Sequence, residues 1–254
     1  MNGRPFWRTL GAVRISKPLL CVLDFDGTLA PLVEHAGRAR MTPGVRRLLE
    51  RLREMAGVAV VSGRALKDVR RRAGVRGIVY GGNHGVELAG RRQAYLHPAA
   101  RRLKKHAGEL LRQAQRIFKS VPGAFVEGKG FGVSVHFRRV PPRARGAFDR
   151  GVRKLKKETH ALAFLWTRGH QVWDLRPATG WSKGRALQRL WRRTGKPFVV
   201  CVGDDATDED MFRSVRGKGF GVKVGPGPTR ARYRLALQNE VPRFLKWLAR
   251  TLEQ

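Results

Sequence analysis

The stretch LLCVLDFDGT, residues 19–28, decides the fold, because five apolar residues run directly into an aspartate-rich turn. A short apolar run without alternation is typical of a strand that is buried on both faces of a parallel sheet. The same arrangement returns in VAVVSGR at residues 58–64 and in FVVCVGDDATD at residues 198–208. Ligands of open parallel sheets bind at the carboxyl ends of the strands. The sequence therefore predicts three strands that deliver polar residues to one edge of a sheet.

Helical patterns separate the strands of this sheet. Thr42-Pro43 opens a helix, with threonine as the N-cap and proline in the first turn. The later elements of this region are predicted as a basic helix at 65–72, a strand at 78–80, a helix at 181–191, strands at 198–202 and 219–224, and a closing helix at 241–252. Alternating strands and helices predict an α/β core, a Rossmann-like parallel sheet with helices on both faces.

The middle of the chain has a different pattern. A helix at 99–119 precedes the segment Phe125 to Arg138, in which apolar and polar residues alternate as in a half-exposed strand. A second helix at 143–159 precedes two more short strands, at 161–166 and 171–175. This helix and two-strand unit, used twice, predicts an inserted α+β domain at 94–174. The core would then consist of residues 1–93 and 175–254.

The net charge of +34 is the most unusual bulk property of this chain of 254 residues. The basic residues are spread along the whole chain, without a nucleic-acid motif. We interpret them as a solvated surface that attracts anionic phosphoesters and binds nucleic acid at most non-specifically.

No apolar run approaches the roughly 20 residues of a membrane helix. Cys21 and Cys201 lie in apolar runs and are expected to be free thiols, so we expect a soluble cytoplasmic protein without a membrane partner.

The aspartates that follow the strands carry the predicted chemistry. Asp24 and Asp26 point to the same side, so one carboxylate can attack while the other moves a proton. Clustered carboxylates such as Asp204 and Asp205 are hard oxygen ligands that suit Mg²⁺. Lys183, just before a predicted helix, supplies positive charge to a transferring group. Each piece alone has a plainer interpretation as a turn, an acidic helix N-terminus or a solvated lysine, but their occurrence together and in order favours a catalytic site.

In this order the residues resemble the four motifs of the haloacid dehalogenase (HAD) superfamily of phosphatases. The matching positions are DFDGTL at 24–29, Ser62, Lys183 and GDDATD at 203–208. The resemblance implies that Asp24 is the nucleophile and Asp26 the general acid/base, with Ser62 and Lys183 holding the phosphoryl oxygens. It also implies Mg²⁺ as cofactor, and the insert at 94–174 corresponds to the C2-type cap of that superfamily. The implied metal ligands are the Asp24 carboxylate, the Asp26 backbone carbonyl and Asp204, with support from Asp205 and Asp208.

Within the superfamily, the chain is similar to the trehalose-6-phosphate phosphatase family over residues 17–245. The similarity is carried by VSGR at 61–64, GNHGVE at 82–87, VEGK at 126–129, SVHFR at 134–138, LRP at 175–177, WSKG at 181–184 and VGDDATDED at 202–210. The chain departs from the family pattern at Gly128, where members of the family often have an acidic or amide residue. The resemblance implies hydrolysis of trehalose 6-phosphate. The implied substrate-binding residues are Gly63, Arg64, His84, Glu127, Lys129, His136 and Arg138.

The cap residues also have a physical interpretation. Glu127, Lys129, His136 and Arg138 lie on or near one polar face of a predicted strand pair, and charged donors and acceptors bind sugar hydroxyls strongly. Without the resemblance, an exposed polar sheet face is the alternative. His84 either orients a neighbour or satisfies a hydrogen bond within the core.

Other functions stay open at this point. A HAD phosphatase that acts on another sugar phosphate, such as a sucrose phosphate or a glycosyl-phosphoglycerate, has the same core motifs. A transferase or phosphomutase can pass an aspartyl-phosphate to an acceptor other than water. The charge motivates a nucleic-acid-binding protein on the same scaffold. A synthase that makes trehalose 6-phosphate is a candidate protein partner.

Overall fold

A computed structural model of the chain describes residues 3–33, 36–90, 93–159, 164–169 and 171–254. The chain divides into two compact units, which we call the core unit (Met1–Tyr95 and Trp181–Gln254) and the insert unit (Leu96–Gly180). The inserted domain predicted at 94–174 lies close to the bounds of the insert unit.

The strands and helices of the described residues are numbered in chain order. The strands are β1 (Arg4–Pro5), β2 (Leu19–Leu23), β3 (Gly57–Val61), β4 (Val79–Gly82), β5 (Glu87–Gly90), β6 (Gln93–Leu96), β7 (Phe125–Gly128), β8 (Val133–His136), β9 (Phe164–Gly169), β10 (Val172–Pro177), β11 (Phe198–Gly203), β12 (Gly219–Val224) and β13 (Tyr233–Leu235). The helices are α1 (Pro43–Met55), α2 (Leu66–Ala73), α3 (Pro98–Phe118), α4 (Arg145–Thr159), α5 (Lys183–Arg193), α6 (Glu209–Ser214) and α7 (Val241–Glu253).

The core unit is built on one twisted sheet. Within the described residues its strand order is β1-β13-β12-β11-β2-β3-β4-β5-β6. The pairs from β1 through to β4 are parallel, and β4 pairs with β5 in the antiparallel sense. Every residue of β2 is buried, and alternate residues contribute to two different apolar clusters. Helices α1, α2 and α7 pack in one cluster and α5 and α6 in the other, so both faces of the sheet are covered as the sequence predicts.

Local signals explain where the first long helix begins. The hydroxyl of Thr42 accepts a hydrogen bond from the N–H of Val45 at 3.3 Å, and Pro43 occupies the first helical position. Proline costs little there because its missing N–H has no partner inside the helix. Leu49 and Leu52 then face the sheet and are fully buried.

The first residues of the chain, for which the sequence predicts no structure, are attached to the core unit. β1 pairs with β13 in parallel at the edge of the sheet. Phe6 is 0% exposed, and its ring packs edge-on against Trp7, Tyr233, Phe244 and Trp247 at centroid distances of 5.1, 5.6, 4.9 and 4.9 Å. Aromatic burial of this kind dominates local stability, so the segment belongs to the fold of the core unit.

The insert unit contains an antiparallel sheet of order β7-β8-β10-β9, with α3 and α4 packed on it. The alternating segment Phe125 to Arg138 forms two strands, β7 and β8, and Val133 and Val135 point into the apolar cluster shared with the helices. Residues 161–163 of the strand predicted at 161–166 lie outside the described residues, and the described part of it is β9. The predicted α+β character is confirmed for the described residues.

Two further features concern the apolar character of the helices and the state of the cysteines. None of the helices within the described ranges is both long enough and apolar enough to cross a membrane. Cys21 and Cys201 are buried and unpaired with each other, as expected from the sequence. Burial raises the pKa of the Cys21 thiol to about 12, so this cysteine behaves as an inert apolar side chain.

Replacement of Phe6 by alanine tests whether the N-terminal segment stabilises the core unit. We expect the free energy of unfolding to fall by about 3 kcal/mol, because the ring leaves a cavity among buried aromatic side chains. Denaturant unfolding followed by tryptophan fluorescence measures the change. The matched control is Arg8→Ala, an exposed position on the short 3-10 helix Phe6–Arg8, for which less than about 0.5 kcal/mol is expected. Equal effects of the two substitutions would contradict the assignment.

Candidate active site

Three segments of the core unit meet at the carboxyl edge of its sheet. β2 and β11 lie side by side with Leu23 opposite Val202, and the N–H of Asp24 donates to the carbonyl of Val202 at 2.9 Å. β3 borders β2 on its other side, and Ser62 follows its last residue. The strand register therefore brings the ends of three separate sequence stretches together.

The side chain of Lys183 joins two of the aspartates. Lys183 is the first residue of α5, and the N-cap hydroxyl of Ser182 accepts a hydrogen bond from the N–H of Arg185 at 3.4 Å. The Nζ of Lys183 donates to Oδ1 of Asp24 at 2.6 Å and to Oδ1 of Asp208 at 2.8 Å. Lys183, Asp24 and Asp208 are 3%, 4% and 0% exposed, respectively. Charges this deeply buried are tolerated only when they are paired and hydrogen-bonded, so the three groups depend on one another.

The acidic cluster, defined as Asp24, Asp204 and Asp208, holds more negative charge than Lys183 neutralises. One carboxylate oxygen from each residue lies within 4.8 Å of the others. Burial raises the pKa of Asp24 well above its usual range; Lys183 opposes this, and the charges of Asp208 and Asp204 raise it further. Burial, followed by the charge of Asp208, raises the pKa of Asp204 to about 6. A divalent cation among these oxygens would relieve that repulsion.

The same environment also raises the pKa of Lys183, which favours the charged form of this side chain. Burial acts to lower the pKa of the Lys183 ammonium group, but the charges of Asp208 and Asp24 outweigh it and raise the pKa above its ordinary value. Lys183 therefore stays charged throughout the physiological range.

Two glycines allow the aspartates to approach one another. Gly27 has φ +75°, and a Cβ there would lie 2.0 Å from Oδ2 of Asp204. A Cβ at Gly203 would lie 2.3 Å from Cγ of Asp208. The Oδ2 of Asp208 accepts hydrogen bonds from the N–H groups of Asp204 and Asp205, both at 3.0 Å. Asp208 thus fixes the loop after β11, and neither glycine position has room for a side chain.

Asp26 is held apart from this cluster by Arg64. The Nε and Nη2 of Arg64 donate to the two carboxylate oxygens of Asp26 at 2.7 and 2.6 Å. Its Nη1 donates to Oδ2 of Asp68 at 2.8 Å, and Asp68 also accepts hydrogen bonds from Arg71 and Arg72. Partial burial of Asp68 acts to raise its pKa, but the hydrogen bonds from Arg72, Arg64 and Arg71 lower it to about 2. Arg64, expected as a substrate residue, therefore pairs with the expected general acid/base.

The other expected core residues are placed as follows. Ser62 is buried, and its Oγ accepts a hydrogen bond from the N–H of Arg64 at 3.1 Å. The ring of His84 lies against Gly63, where a Cβ would be 2.8 Å from Cε1 of the ring. Asp205 is exposed, and its Oδ1 accepts the N–H of Ala206 at 2.7 Å. The structure thus brings Asp24, Asp204 and Asp208 together, whereas the carboxylate of Asp205 caps the following turn.

A polar row crosses the sheet of the insert unit. Glu127 on β7 lies opposite Ser134 on β8, Ser134 lies opposite Asp174 on β10, and Asp174 lies opposite Thr167 on β9. Residues directly opposite in an antiparallel sheet point to the same face. Ser134 Oγ donates to Oδ1 of Asp174. We call Glu127, Ser134, Asp174 and Thr167 the polar row.

The expected cap residues lie beside this row. The Nε2 of His136 is 3.0 Å from Oε2 of Glu127, and the Nζ of Lys129 is 3.8 Å from the same oxygen. Arg138 lies two residues beyond the end of β8 and is exposed. Glu127, Lys129 and His136 are thus brought together, and Arg138 lies outside the strand pair.

Asp174 belongs to the polar row but is not among the binding residues that the sequence predicts. Asp174 and Arg176 alternate with Trp173 and Leu175 along β10, and this alternation is a period-two signal for one polar face. The signal locates a polar strand face but does not identify its neighbour, because the pairing of β10 with β8 depends on a sequence separation of 40 residues.

The comparisons with known proteins agree with this geometry. Residues 22–238 match the family model described as trehalose-phosphatase. The chain is 34% identical over 251 residues to probable trehalose-phosphate phosphatase I of Arabidopsis thaliana, covering 91% of this chain and 68% of that protein. It is 36% identical over 245 residues to an uncharacterized glycosyl hydrolase of Mycobacterium tuberculosis, covering 91% of this chain and only 18% of that longer protein.

Solved structures show the same fold. A trehalose-6-phosphate phosphatase related protein has a TM-score of 0.80 at 23% identity, covering 91% of this chain and 97% of that one. A haloacid dehalogenase-like hydrolase from Bacteroides thetaiotaomicron has a TM-score of 0.63 at 17% identity, covering 91% of this chain and 100% of that one. The predicted fold class and phosphatase assignment are confirmed: the chain belongs to the trehalose-phosphatase family and has the haloacid dehalogenase fold.

Proposed function

We propose that the chain hydrolyses trehalose 6-phosphate to trehalose and phosphate through an aspartyl-phosphate on Asp24, with Mg²⁺ as cofactor. The observation that carries the proposal is the buried ammonium group of Lys183, which bridges Asp24 and Asp208 at the carboxyl edge of the sheet. A carboxylate nucleophile beside a fixed cation is arranged to bind and transfer a phosphoryl group.

The residues present fit a magnesium ion. The acidic cluster offers oxygen ligands within 4.8 Å of one another, and burial and the neighbouring carboxylates raise the pKa of Asp24 and of Asp204. Hard carboxylate oxygens are what Mg²⁺ prefers. Asp24, Asp204 and the backbone carbonyl of Asp26 would hold the ion, with Asp208 and Asp205 in supporting roles. When bound, the ion neutralises charge on the phosphoryl group.

The proposed hydrolysis has two steps, and residues of this chain take part in both. In the first, an Asp24 carboxylate oxygen bonds to phosphorus, the bond from phosphorus to the sugar oxygen breaks, and Asp26 gives that oxygen a proton. In the second, Asp26 takes a proton from water, whose oxygen bonds to phosphorus and releases Asp24. Ser62 and Lys183 hold the phosphoryl oxygens in both steps.

Arg64 is proposed as a positioning residue for this proton transfer. Its two hydrogen bonds orient the Asp26 carboxylate, and its third anchors it to Asp68 on α2. Bidentate arginine–carboxylate pairs fix geometry as well as charge. Asp26 must exchange at least one of these hydrogen bonds for one to the sugar oxygen when substrate is bound. Gly63 and His84 support the turn that carries Ser62 and Arg64.

The insert unit is proposed as the C2-type cap that recognises the sugar. Glu127, Lys129 and His136 present hydrogen-bond donors and acceptors beside one another, and Arg138 follows them in sequence. Asp174 extends the same face and joins the proposed substrate-binding residues. Sugar hydroxyls bind well to such charged partners. A sucrose phosphate or a glycosyl-phosphoglycerate is the alternative substrate, and this face is what discriminates among them.

The proposed location of the protein is the cytoplasm. Two free buried thiols are in keeping with the reducing environment of the cytoplasm. A synthase that makes trehalose 6-phosphate stays a candidate partner.

Replacement of Asp24 by asparagine tests the nucleophile. We expect kcat for phosphate release from trehalose 6-phosphate to fall at least about a thousand-fold, because the amide cannot form the phosphoenzyme. The thermal midpoint is the control for folding.

Removal of Mg²⁺ with EDTA should abolish turnover of the unaltered chain, and added Mg²⁺ should restore it. Substantial activity in the variant, or in EDTA, contradicts the mechanism or the cofactor, respectively.

Replacement of Glu127 by glutamine or of Asp174 by asparagine tests the cap. For trehalose 6-phosphate we expect KM to rise about tenfold with each, because a charge-assisted hydrogen bond to a hydroxyl is lost. Hydrolysis of p-nitrophenyl phosphate should change less than about threefold, since it has no sugar to recognise. Glu158→Gln, on α4, is the matched control in the same unit. Equal losses on both substrates would show that the residues act on folding or chemistry.

Replacement of Asp68 by asparagine tests the network behind Arg64. The lowered pKa means that Asp68 stabilises the fold at neutral pH, and that this contribution is lost as pH falls from about 4 towards 2. We expect Asp68→Asn to cost about 1 kcal/mol in free energy of unfolding at pH 7, after allowance for its partial exposure, and progressively less below pH 4. Urea unfolding at several pH values, with exposed Asp149→Asn as control, measures it. A cost that grows on acidification would contradict this account.

A further inference from the structure

The outer surface of α3 and α4 in the insert unit carries dense positive charge. α3 has six Lys and Arg residues against one carboxylate, and α4 has six against two. Most of these cations are exposed. The basic surface is defined by Arg101, Arg102, Lys104, Lys105, Arg112, Arg116, Lys119, Arg150, Arg153, Lys154 and Lys157.

The two helices present this surface as one face. Their apolar sides are buried on the sheet, where Leu110 and Phe118 of α3 and Phe148 of α4 share one cluster. The rings of Phe118 and Phe148 lie 5.2 Å apart, and Gly151 lets the helices approach closely, since a Cβ there would lie 2.8 Å from the Phe118 ring. The polar sides of both helices therefore point away from the sheet.

Ion pairs within the described part of the insert unit do not neutralise the charge of the basic surface. No ion pair among the described residues involves any of its cations. The few acids on these helices, Glu109, Asp149 and Glu158, are themselves exposed and make no such pair in the described ranges. Self-repulsion of this density is unfavourable unless counterions or an anionic partner offset it.

A concave site lies within this surface. Arg112, Gln115, Arg116 and Lys119 line a cavity of about 380 Å³ at the C-terminal end of α3. Three cations line this open cavity and no carboxylate does, so their N–H donors suit a phosphate group.

We propose that the basic surface binds the sugar–phosphate backbone of nucleic acid without regard to sequence, with the cavity on α3 holding a phosphate. α3 has 21 residues and so is roughly 31 Å long. Duplex nucleic acid carries one negative charge per about 1.7 Å of axis, so several phosphates lie within reach of the surface.

A membrane surface fits less well. Peripheral helices bind lipid by inserting large apolar residues beside their basic ones. Among the described residues the exposed large apolar side chains are Leu32, Val33, Phe125, Leu165 and Leu237, and none of them lies on α3 or α4.

Fluorescence anisotropy of the full chain with a labelled 20-base-pair DNA duplex, from about 50 to 300 mM NaCl, tests the proposal. The variant R112Q/R116Q/K119Q removes the cavity cations, and R192Q/R193Q/R216Q removes the same charge from exposed positions of the core unit. We expect the first to weaken binding at least about tenfold at 100 mM salt and to lower the salt slope by about 2 to 3. The second should change binding less than about threefold.

Equal losses in the two variants would overturn the proposal, because they would assign binding to diffuse net charge. Tighter binding to anionic phosphatidylglycerol vesicles than to duplex, at matched phosphate concentration, would overturn it in favour of a membrane. If the first variant fails to fold, R101Q/K104Q/K105Q on the same surface replaces it with the same expectation. Phosphatase activity serves as the folding control, since none of these residues lies in the proposed catalytic or sugar-binding set.

Discussion

The core unit depends on one interaction, the burial of Lys183 between Asp24 and Asp208. An ammonium group that is only 3% exposed is largely shielded from solvent and must be paired within the protein. Its two short hydrogen bonds fix the first residue of α5 against the ends of β2 and β11. Since these elements come from distant parts of the sequence, this single cation ties the halves of the core unit together at the site.

The rest of the site follows from that constraint. Asp208 uses one oxygen for Lys183 and the other for two backbone N–H groups, so the loop after β11 cannot move independently of the lysine. Gly27 and Gly203 leave the space that the carboxylates occupy. The resulting excess of negative charge is local in a chain whose net charge is +34, and it is the physical reason to expect a cation there.

Much of the core could be predicted because its signals are local. Apolar runs that end in aspartates identify parallel strands, and their order along the chain identifies the motifs. The edge strand β1 and its neighbour β13 were not predicted, since they are only two and three residues long. Burial of Phe6 against Tyr233 of β13 helps to hold them. The pairing of Arg64 with Asp26, and the place of Asp174 beside Ser134, depend on contacts 38 and 40 residues apart. The period of a sequence pattern indicates which side chains share a face of a helix or strand, but not which element packs or pairs against it.

The most direct test of the central claim is to trap the covalent intermediate. An acyl phosphate on a carboxylate is reduced by borohydride to an alcohol, which converts an aspartate to homoserine. Rapid quenching of the chain with borohydride during turnover of trehalose 6-phosphate in Mg²⁺, followed by peptide mass spectrometry, locates the modified residue. We expect homoserine at position 24 only when substrate and metal are both present. Homoserine at another aspartate, or none during sustained turnover, would contradict it.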